Sequence, residues 1–324
     1  MRPDRRRFVN AAGAALASSC LPAIAQAWPT GPVRLISPYG AGGASDILTR
    51  ILGQYFEKAL GQPFVVENKP GAGTRIANEL VANAPADGSV LLHAAAPIAI
   101  GAALYPKLPY DVRKSFAPIV STAIAPLFLI VNSASRFATL ADLLEYGRTH
   151  ADGLTFGSPG AASAPHLTAE LLFGSAKVRG VNIHHRGDAT AYVELLAGRI
   201  DATLTSIATA VPHIKAGKLR VLAVATEERT PVYPQAPTFR ELGLPDVVGY
   251  GWYGMVAPAG TPSAVIQRMN TVANAALADT GVREKAEAAG LQPRGGAPAE
   301  FAAFIEAESQ KWARVIRAAN ITVE

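Results

Sequence analysis

Apolar positions along the chain fall in short runs separated by amphipathic stretches, and the first few units set the pattern for the rest. Val33, Leu35 and Ile36 make a short run that Pro38 stops, and Gly40, Gly42 and Gly43 follow as a loop whose backbone can approach a ligand. Ser45 and Asp46 read as a helix start, after which Ile47, Leu48, Ile51, Leu52 and Tyr55 recur at helical spacing. The spacing predicts strand 33–37, helix 45–60, strand 64–67, helix 74–84 and strand 90–94, which is α/β organisation. Pro70 to Thr74 (PGAGT) repeats the glycine turn with Thr74 as its N-cap. Leu91, Leu92 and His93 then lead into Ala94, Ala95, Ala96 and Pro97 at a third strand end.

Beyond Leu104 the chain is Pro-rich and irregular (LYPKLPYD). Phe116 to Val120 and Leu127 to Val131 read as two strands, with a crossing between lobes near Ile124 to Leu127. A second series follows: helix 140–149, strand 154–157, glycine loop 158–164, helix 166–174, strand 181–184, helix 189–197, strand 201–204, helix 207–216 and strand 220–225. Residues 226–248 are Pro-rich with one short helix at 239–242, and strand 250–257 with helices 263–278, 282–289 and 298–319 returns to the first lobe. The expected domains are 28–124 together with 226–324, and 125–225. A chain that leaves a domain and comes back makes two linkers and a cleft, the hinge-bending layout of binding proteins. In open α/β sheets ligands bind outside the carboxyl ends of the strands, where the glycine loops fall.

The loop amides of Gly40 to Gly43 and the helix start at Ser45 face one point in space, and such a point favours anions. Two other readings of the same residues stand beside this one. The glycines could serve only a tight turn between strand and helix. Gly40, Gly42 and Ser45 also approximate the dinucleotide fingerprint without its third glycine, with Glu67 closing the next strand where a ribose-binding acid would fall; on that reading the chain is an NAD-dependent oxidoreductase.

A chain of 324 residues with 49% hydrophobic content can bury a sizeable core in two domains. Its first 27 residues read as an export signal: Arg2, Arg5, Arg6 and Arg7, an alanine-rich apolar run from Phe8 to Leu21, and small residues at Ala25 and Ala27, with cleavage expected after Ala27. Arg5, Arg6, Phe8 and Val9 are similar to a twin-arginine signal, with Sec export as the alternative, and the residues before Cys20 fit a lipobox poorly. Removing the segment takes away four basic residues and one acid, so the net charge falls from +5 to +2. No basic cluster with interleaved aromatics survives, which argues against nucleic acid as a partner. With Cys20 gone the chain has neither disulfide nor thiol chemistry, and no later apolar run is long enough to span a membrane.

At this point the motifs match a known family. WPTGPVRLISPYGAGGASD, VVENKPGAG, ADGSVLL, LYPKLPYD, FGSPGAASAPHLTAELL, HHRG, PHIKAGKLRVLAV, APTFRELGL, WYGMVAPAGTP and GGAPAEFAAFIEAE occur in the family's order over nearly the whole mature chain. The chain resembles the extracytoplasmic solute receptors of tripartite tricarboxylate transporters, the Bug-type periplasmic binding proteins. The resemblance implies an α/β fold of the type II, two-domain periplasmic binding protein class, with a ligand cleft between the domains. It also implies no enzymatic activity and a small carboxylate (a di- or tricarboxylate, an aromatic carboxylate or an acidic amino acid) delivered to membrane permease subunits; a shuttle that must diffuse and present one face to its permease is expected to be a monomer, and no cofactor is expected. Residue by residue it places ligand contacts at Tyr39, Gly40, Gly42, Gly43, Ser45 and Asp46, at Gly73, and at Ser158, Gly160, Ser163 and His166. Two departures bear on the pocket: the family often has Phe, Ala, Pro where this chain has Tyr39, Gly40, Ala41, and Pro, Tyr where it has His184, His185.

Taken singly, these residues admit more than one role. His166 either donates to an anion or caps and packs on its helix. Arg186, flanked by Gly187 at a strand end, is the candidate for a bidentate pair with a ligand carboxylate, against plain solvation. His184 and His185 are neighbours on a strand and point to opposite faces, which argues against a metal. Asp46 beside an anion site either accepts loop amides and fixes the turn or receives a ligand ammonium. Tyr39 covers the ligand or packs. Trp252, Trp312, Phe301 and Phe304 have the spacing of core or interdomain packing. Ser158, Ser163 and His166 offer a nucleophile and a base, but no GxSxG elbow is present.

Overall fold

The computed structural model describes residues 28–105, 107–160, 163–185, 188–207, 209–318 and 321–322. The export signal, Arg186 and Gly187 lie outside the described residues.

Among the described residues ten strands form one curled sheet. They are β1 (Val33–Ser37), β2 (Phe64–Asn68), β3 (Val90–Ala95), β4 (Phe116–Asn132), β5 (Leu154–Ser158), β6 (Gly180–His184), β7 (Ala202–Ser206), β8 (Leu219–Val224), β9 (Tyr250–Pro258) and β10 (Gln292–Pro293). The main path runs β2-β1-β3-β9-β4-β7-β5-β6, with β8 and β10 both on β4. The helices are α1 (Ala44–Leu60), α2 (Arg75–Ala82), α3 (Pro97–Leu104), α4 (Leu140–Thr149), α5 (Ala164–Ala176), α6 (Asp188–Leu196), α7 (Val211–Lys215), α8 (Ser263–Ala278), α9 (Thr280–Ala288) and α10 (Pro298–Ala318).

The alternation of side chains along each strand puts helices on both faces of this sheet. In β1, Val33 and Leu35 point into one cluster with Leu48, Leu52 and Phe56 of α1, while Ile36 points into another with Leu92 and Ala77. Leu48, Leu52 and Phe56 recur every four residues, so α1 lays one stripe on the sheet, and Phe56 meets Phe64 edge-on at 5.4 Å. Each such fully buried side chain contributes about 1.5–3 kcal/mol from apolar area alone.

Sequence and structure part at four places, each for a physical reason. The two strands expected at 116–120 and 127–131 are one, β4. Pro126 lacks an N–H, but it sits where β4 changes partners, from β9 (Pro126 opposite Tyr250) to β7 (Leu127 opposite Ser206), so no ladder bond is lost there. The stretch 97–104 is helix, because Pro97 occupies the first turn, where a missing N–H costs nothing. Pro212 likewise sits in the first turn of α7, which shrinks the helix expected at 207–216 to Val211–Lys215. Residues 239–242 form turns rather than a helix.

Among the C-terminal elements, β9 pairs with β3 and β4, and α10 packs on α3 and β4 while also reaching α5. Trp252, Trp312 and Phe301 are fully buried in that packing, and the Trp252 ring meets Phe301 and Phe304 edge-on at 5.7 and 5.4 Å.

Candidate ligand site

A cavity of about 420 Å³ opens at the strand ends where β4 changes partners. Four helices begin on its wall. Gly43, Ala44 and Ser45 belong to the start of α1, Ala96 and Pro97 to α3, Ser163, Ala164 and Pro165 to α5, and Asp188 and Thr190 to α6. The first N–H groups of a helix have no partner within it, so these helix starts bring partly positive backbone to one space, although Pro97 and Pro165 carry no N–H and Ser163 Oγ takes that of His166. Ala125, Leu127, Gly251, Trp252 and Tyr253 of the two crossing strands line it as well, with Thr205 and Ser206 at the end of β7 and Thr209 just beyond.

The glycine loop is held in shape from behind. Gly43 is the N-cap of α1 with φ −82° and ψ 168°, and it makes no side-chain cap bond; Gly42 has φ +85°, a conformation that favours glycine. Asp46, 3% exposed, is not among the lining residues: its Oδ2 accepts the Gly42 N–H at 3.0 Å and Arg50 Nε at 3.0 Å, and its Oδ1 accepts Asn68 Nδ2 at 2.8 Å. Asn68 Nδ2 also donates to the Tyr39 carbonyl at 2.9 Å. Burial pushes the Asp46 carboxyl up, but the bonds from Arg50, Gly42 and Asn68 outweigh it and hold the group below its ordinary value.

A buried polar chain underlies the same helix start. Thr49 Oγ1 donates to the Ser45 carbonyl at 2.7 Å and lies 2.8 Å from His93 Nδ1, while His93 Nε2 lies 2.9 Å from Thr122 Oγ1. The Thr49 hydroxyl has one proton and gives it to Ser45. His93 Nδ1 therefore carries the ring proton, and Nε2 accepts from Thr122. Burial alone drops the His93 pKa to about 3, and its ring stacks on Tyr253 at 5.6 Å.

On the opposite wall, Ser163 caps α5: its Oγ donates to the Gly160 carbonyl at 2.7 Å and accepts the His166 N–H at 3.3 Å. Behind it, Ser158 Oγ lies 2.8 Å from His184 Nδ1, the His184 and His166 rings are 4.8 Å apart, and His166 Nε2 is 3.8 Å from Glu170 Oε1. Burial, then the neighbouring imidazole, lowers His166 to about 4. Asp188 completes the wall. Thr205 Oγ1 donates to its Oδ1 in a short bond, Ser206 Oγ donates to its Oδ2 at 3.1 Å, and burial pushes its carboxyl up against the pull of those two bonds.

Of the residues singled out in the sequence, Tyr39, Gly40, Gly42, Gly43, Ser45 and Ser163 line the cavity together. Asp46, Ser158, Gly160 and His166 stand behind that lining, in the contacts just described. Gly73 sits with φ 61° in the turn Ala72–Thr74, where an added Cβ would come 3.1 Å from the Tyr105 hydroxyl, and it is not among the lining residues. Arg186 falls outside the described residues. Glu67, the acid of the dinucleotide reading, is occupied elsewhere: Arg34 donates to both its oxygens at 2.6 and 3.0 Å, Lys69 lies 3.4 Å away, and its pKa falls to about 2, chiefly through the Arg34 bond.

Sequence reasoning missed Asp188, Thr205, Ser206 and Tyr253. The signal for the first three was present, since each ends a strand or opens the next helix, the same position as the glycine loop after β1. Tyr253 lies within a strand and carries no such mark.

The profile of the tripartite tricarboxylate transporter family receptors (TctC) matches residues 48–321. The protein BugT of Bordetella pertussis is 33% identical over 306 residues, covering 94% of each chain. Among solved structures, R. palustris Rpa4515 with adipate superposes with a TM-score of 0.85 at 31% identity, over 91% of this chain and 99% of that one. The periplasmic binding protein BugD gives 0.83 at 29% identity, over 92% and 100%, and MatC of Rhodopseudomonas palustris with bound malate gives 0.81 at 31% identity, over 89% and 100%. With the α/β two-domain periplasmic binding protein fold and a cavity at its strand ends, the chain belongs to the Bug-type receptors of the tripartite tricarboxylate transporter family.

Proposed function

We propose that this chain is a periplasmic solute receptor that clamps one small carboxylate between its lobes and delivers it, chemically unchanged, to the permease subunits of a tripartite transporter. The observation that carries the reading is the convergence of four helix starts on one cavity of about 420 Å³, a volume suited to a small ligand. Related receptors solved with adipate and malate support a carboxylate as its occupant. On this reading the loop from Tyr39 to Ser45 and the cap at Ser163 contact the ligand, and Asp46, Ser158, Gly160 and His166 hold those contacts in place. Export by the N-terminal signal brings the mature, monomeric chain to the periplasm, where a shuttle must diffuse.

Calorimetry with a carboxylate panel on the mature chain tests this. The expected result is one ligand per chain at micromolar affinity or better, about 8 kcal/mol, with the ligand recovered intact. Binding of NAD with turnover of a hydroxy acid would overturn it.

A further inference from the structure

The cavity wall is polarised. On the side of the glycine loop it offers the start of α1, and at Asp188, the first residue of α6, it adds a carboxylate acceptor. Thr205 and Ser206 each have a single hydroxyl proton, and both protons go to the Asp188 carboxylate. Neither hydroxyl is then free to donate to a ligand carboxylate, which is itself acceptor-only. Tyr192, packed beneath, donates its hydroxyl to the Ser206 carbonyl at 2.6 Å and turns no proton toward the space.

Charge points the same way. Among the described lining residues Asp188 is the one ionisable acid, and neither lysine nor arginine nor histidine accompanies it. Desolvation raises the Asp188 carboxyl above its ordinary value, and its two hydroxyl bonds, with its place as the first residue of α6, pull the other way. A partly desolvated carboxylate held by two hydroxyl bonds gains from an arriving cation. The phenols of Tyr39 and Tyr253, both raised by burial and by the Asp188 charge among their neighbours, remain neutral beside it.

Resting on the carboxylate-receptor reading above, we propose that the ligand also carries an ammonium group, seated on Asp188, with its carboxylate turned toward the helix starts of α1 and α5. The substrate class is therefore an amino-substituted carboxylic acid. An ammonium brings three donors to the Asp188 carboxylate and the hydroxyl oxygens of Thr205 and Ser206, and its charge offsets that of Asp188.

Calorimetry on the mature chain with matched ligands decides: succinate against aspartate, glutarate against glutamate, and adipate against 2-aminoadipate and 6-aminohexanoate. At least one amino member should bind tenfold or more tightly than its unsubstituted partner, and in Asp188→Asn that ratio should collapse toward one. Equal or tighter binding of the unsubstituted acids by the wild-type chain overturns the proposal while leaving the carboxylate receptor standing, and it does so even if the variant fails to fold. A tenfold preference that persists undiminished in a folded Asp188→Asn also overturns it. If a folded wild-type chain binds neither class, the carboxylate reading falls and takes the proposal with it.

Discussion

Asp46 Oδ2 accepts the backbone N–H of Gly42 at 3.0 Å, closing the glycine turn four residues back from the first turn of α1. An acid beside an anion site looks self-defeating until its partners are counted. Arg50 and Asn68 take up the rest of its carboxylate, and Asn68 ties in the Tyr39 carbonyl from the other side of the loop. Asp46 thus fixes the shape of the loop. Asp46→Ala should lower stability by about 1–3 kcal/mol, the range for losing hydrogen bonds to a charged group, and should weaken ligand affinity at least tenfold. Urea denaturation and calorimetry read the two effects. Unchanged affinity in a destabilised variant would separate the loop's shape from binding.

Gly42 and Gly43 are neighbours with different demands. At Gly42 φ is +85°, and an L side chain there costs about 1–2 kcal/mol; at Gly43 the backbone is extended, and an added Cβ meets nothing within 4 Å at either position. Gly43→Ala should therefore fold with wild-type stability, whereas Gly42→Ala should lose about 1 kcal/mol. Because both residues line the cavity, Gly43→Val should depress binding through occupied space alone, with its melting curve unmoved. A melting temperature that falls as far in Gly43→Ala as in Gly42→Ala would refute this division.

How much of this could be read in the chain depends on the kind of signal. Val33–Ser37 and Ala44–Leu60 appear within a residue of their sequence bounds because the short apolar run stopped by Pro38 and the period of 3.6 that follows are both clear there. The continuity of β4 was not legible, since a proline inside an apolar run reads as a stop, and only the change of partner at Pro126 removes that objection. The glycine loop announces itself by composition. Asp188 does not, because its meaning depends on Thr205 and Ser206, which reach it only through the parallel packing of β5 and β7. Local spacing carries no information about that pairing.

His93 links pH to stability. Its folded pKa of about 3 lies below the ordinary 6.5, so between these values the unfolded chain takes up a proton that the folded chain refuses. The contribution is fully present above about pH 6.5 and is lost as pH falls toward 3. His166, lowered to about 4, adds to the loss in the same direction over the window from 6.5 to 4. Each group steepens the slope by up to about 1.4 kcal/mol per pH unit. His93→Gln should be less stable at pH 7, since the Thr49 and Thr122 bonds are disturbed, yet its stability should decline more gently between pH 6.5 and 4.5. Denaturant midpoints measured across that range give the slopes, and parallel slopes for wild type and variant would rule out His93 as a contributor.

Just before β9, Gly249 N–H donates to the Ala225 carbonyl at 2.8 Å, and the residue lies against Thr168 of α5 so closely that any Cβ would collide with its hydroxyl and its Cβ. Thr168 is fully buried, and its Oγ1 donates to the Ala164 carbonyl at 2.7 Å, in the turn that lines the cavity. A single methyl at 249 must therefore push α5 away from the crossing strand. Overpacking of this sort costs about 1–3 kcal/mol, and here it should also shift the Ser163 cap and weaken binding severalfold. Gly249→Ala is expected to lose both stability and affinity, whereas in Gly249→Ala combined with Thr168→Gly the added methyl has room. The double variant should then be more stable than the sum of the two single losses predicts, by at least about 0.5 kcal/mol after the helix penalty of glycine is counted through Thr168→Gly alone. Strict additivity across that cycle would mean that the contact between Gly249 and Thr168 does not set the seat of α5.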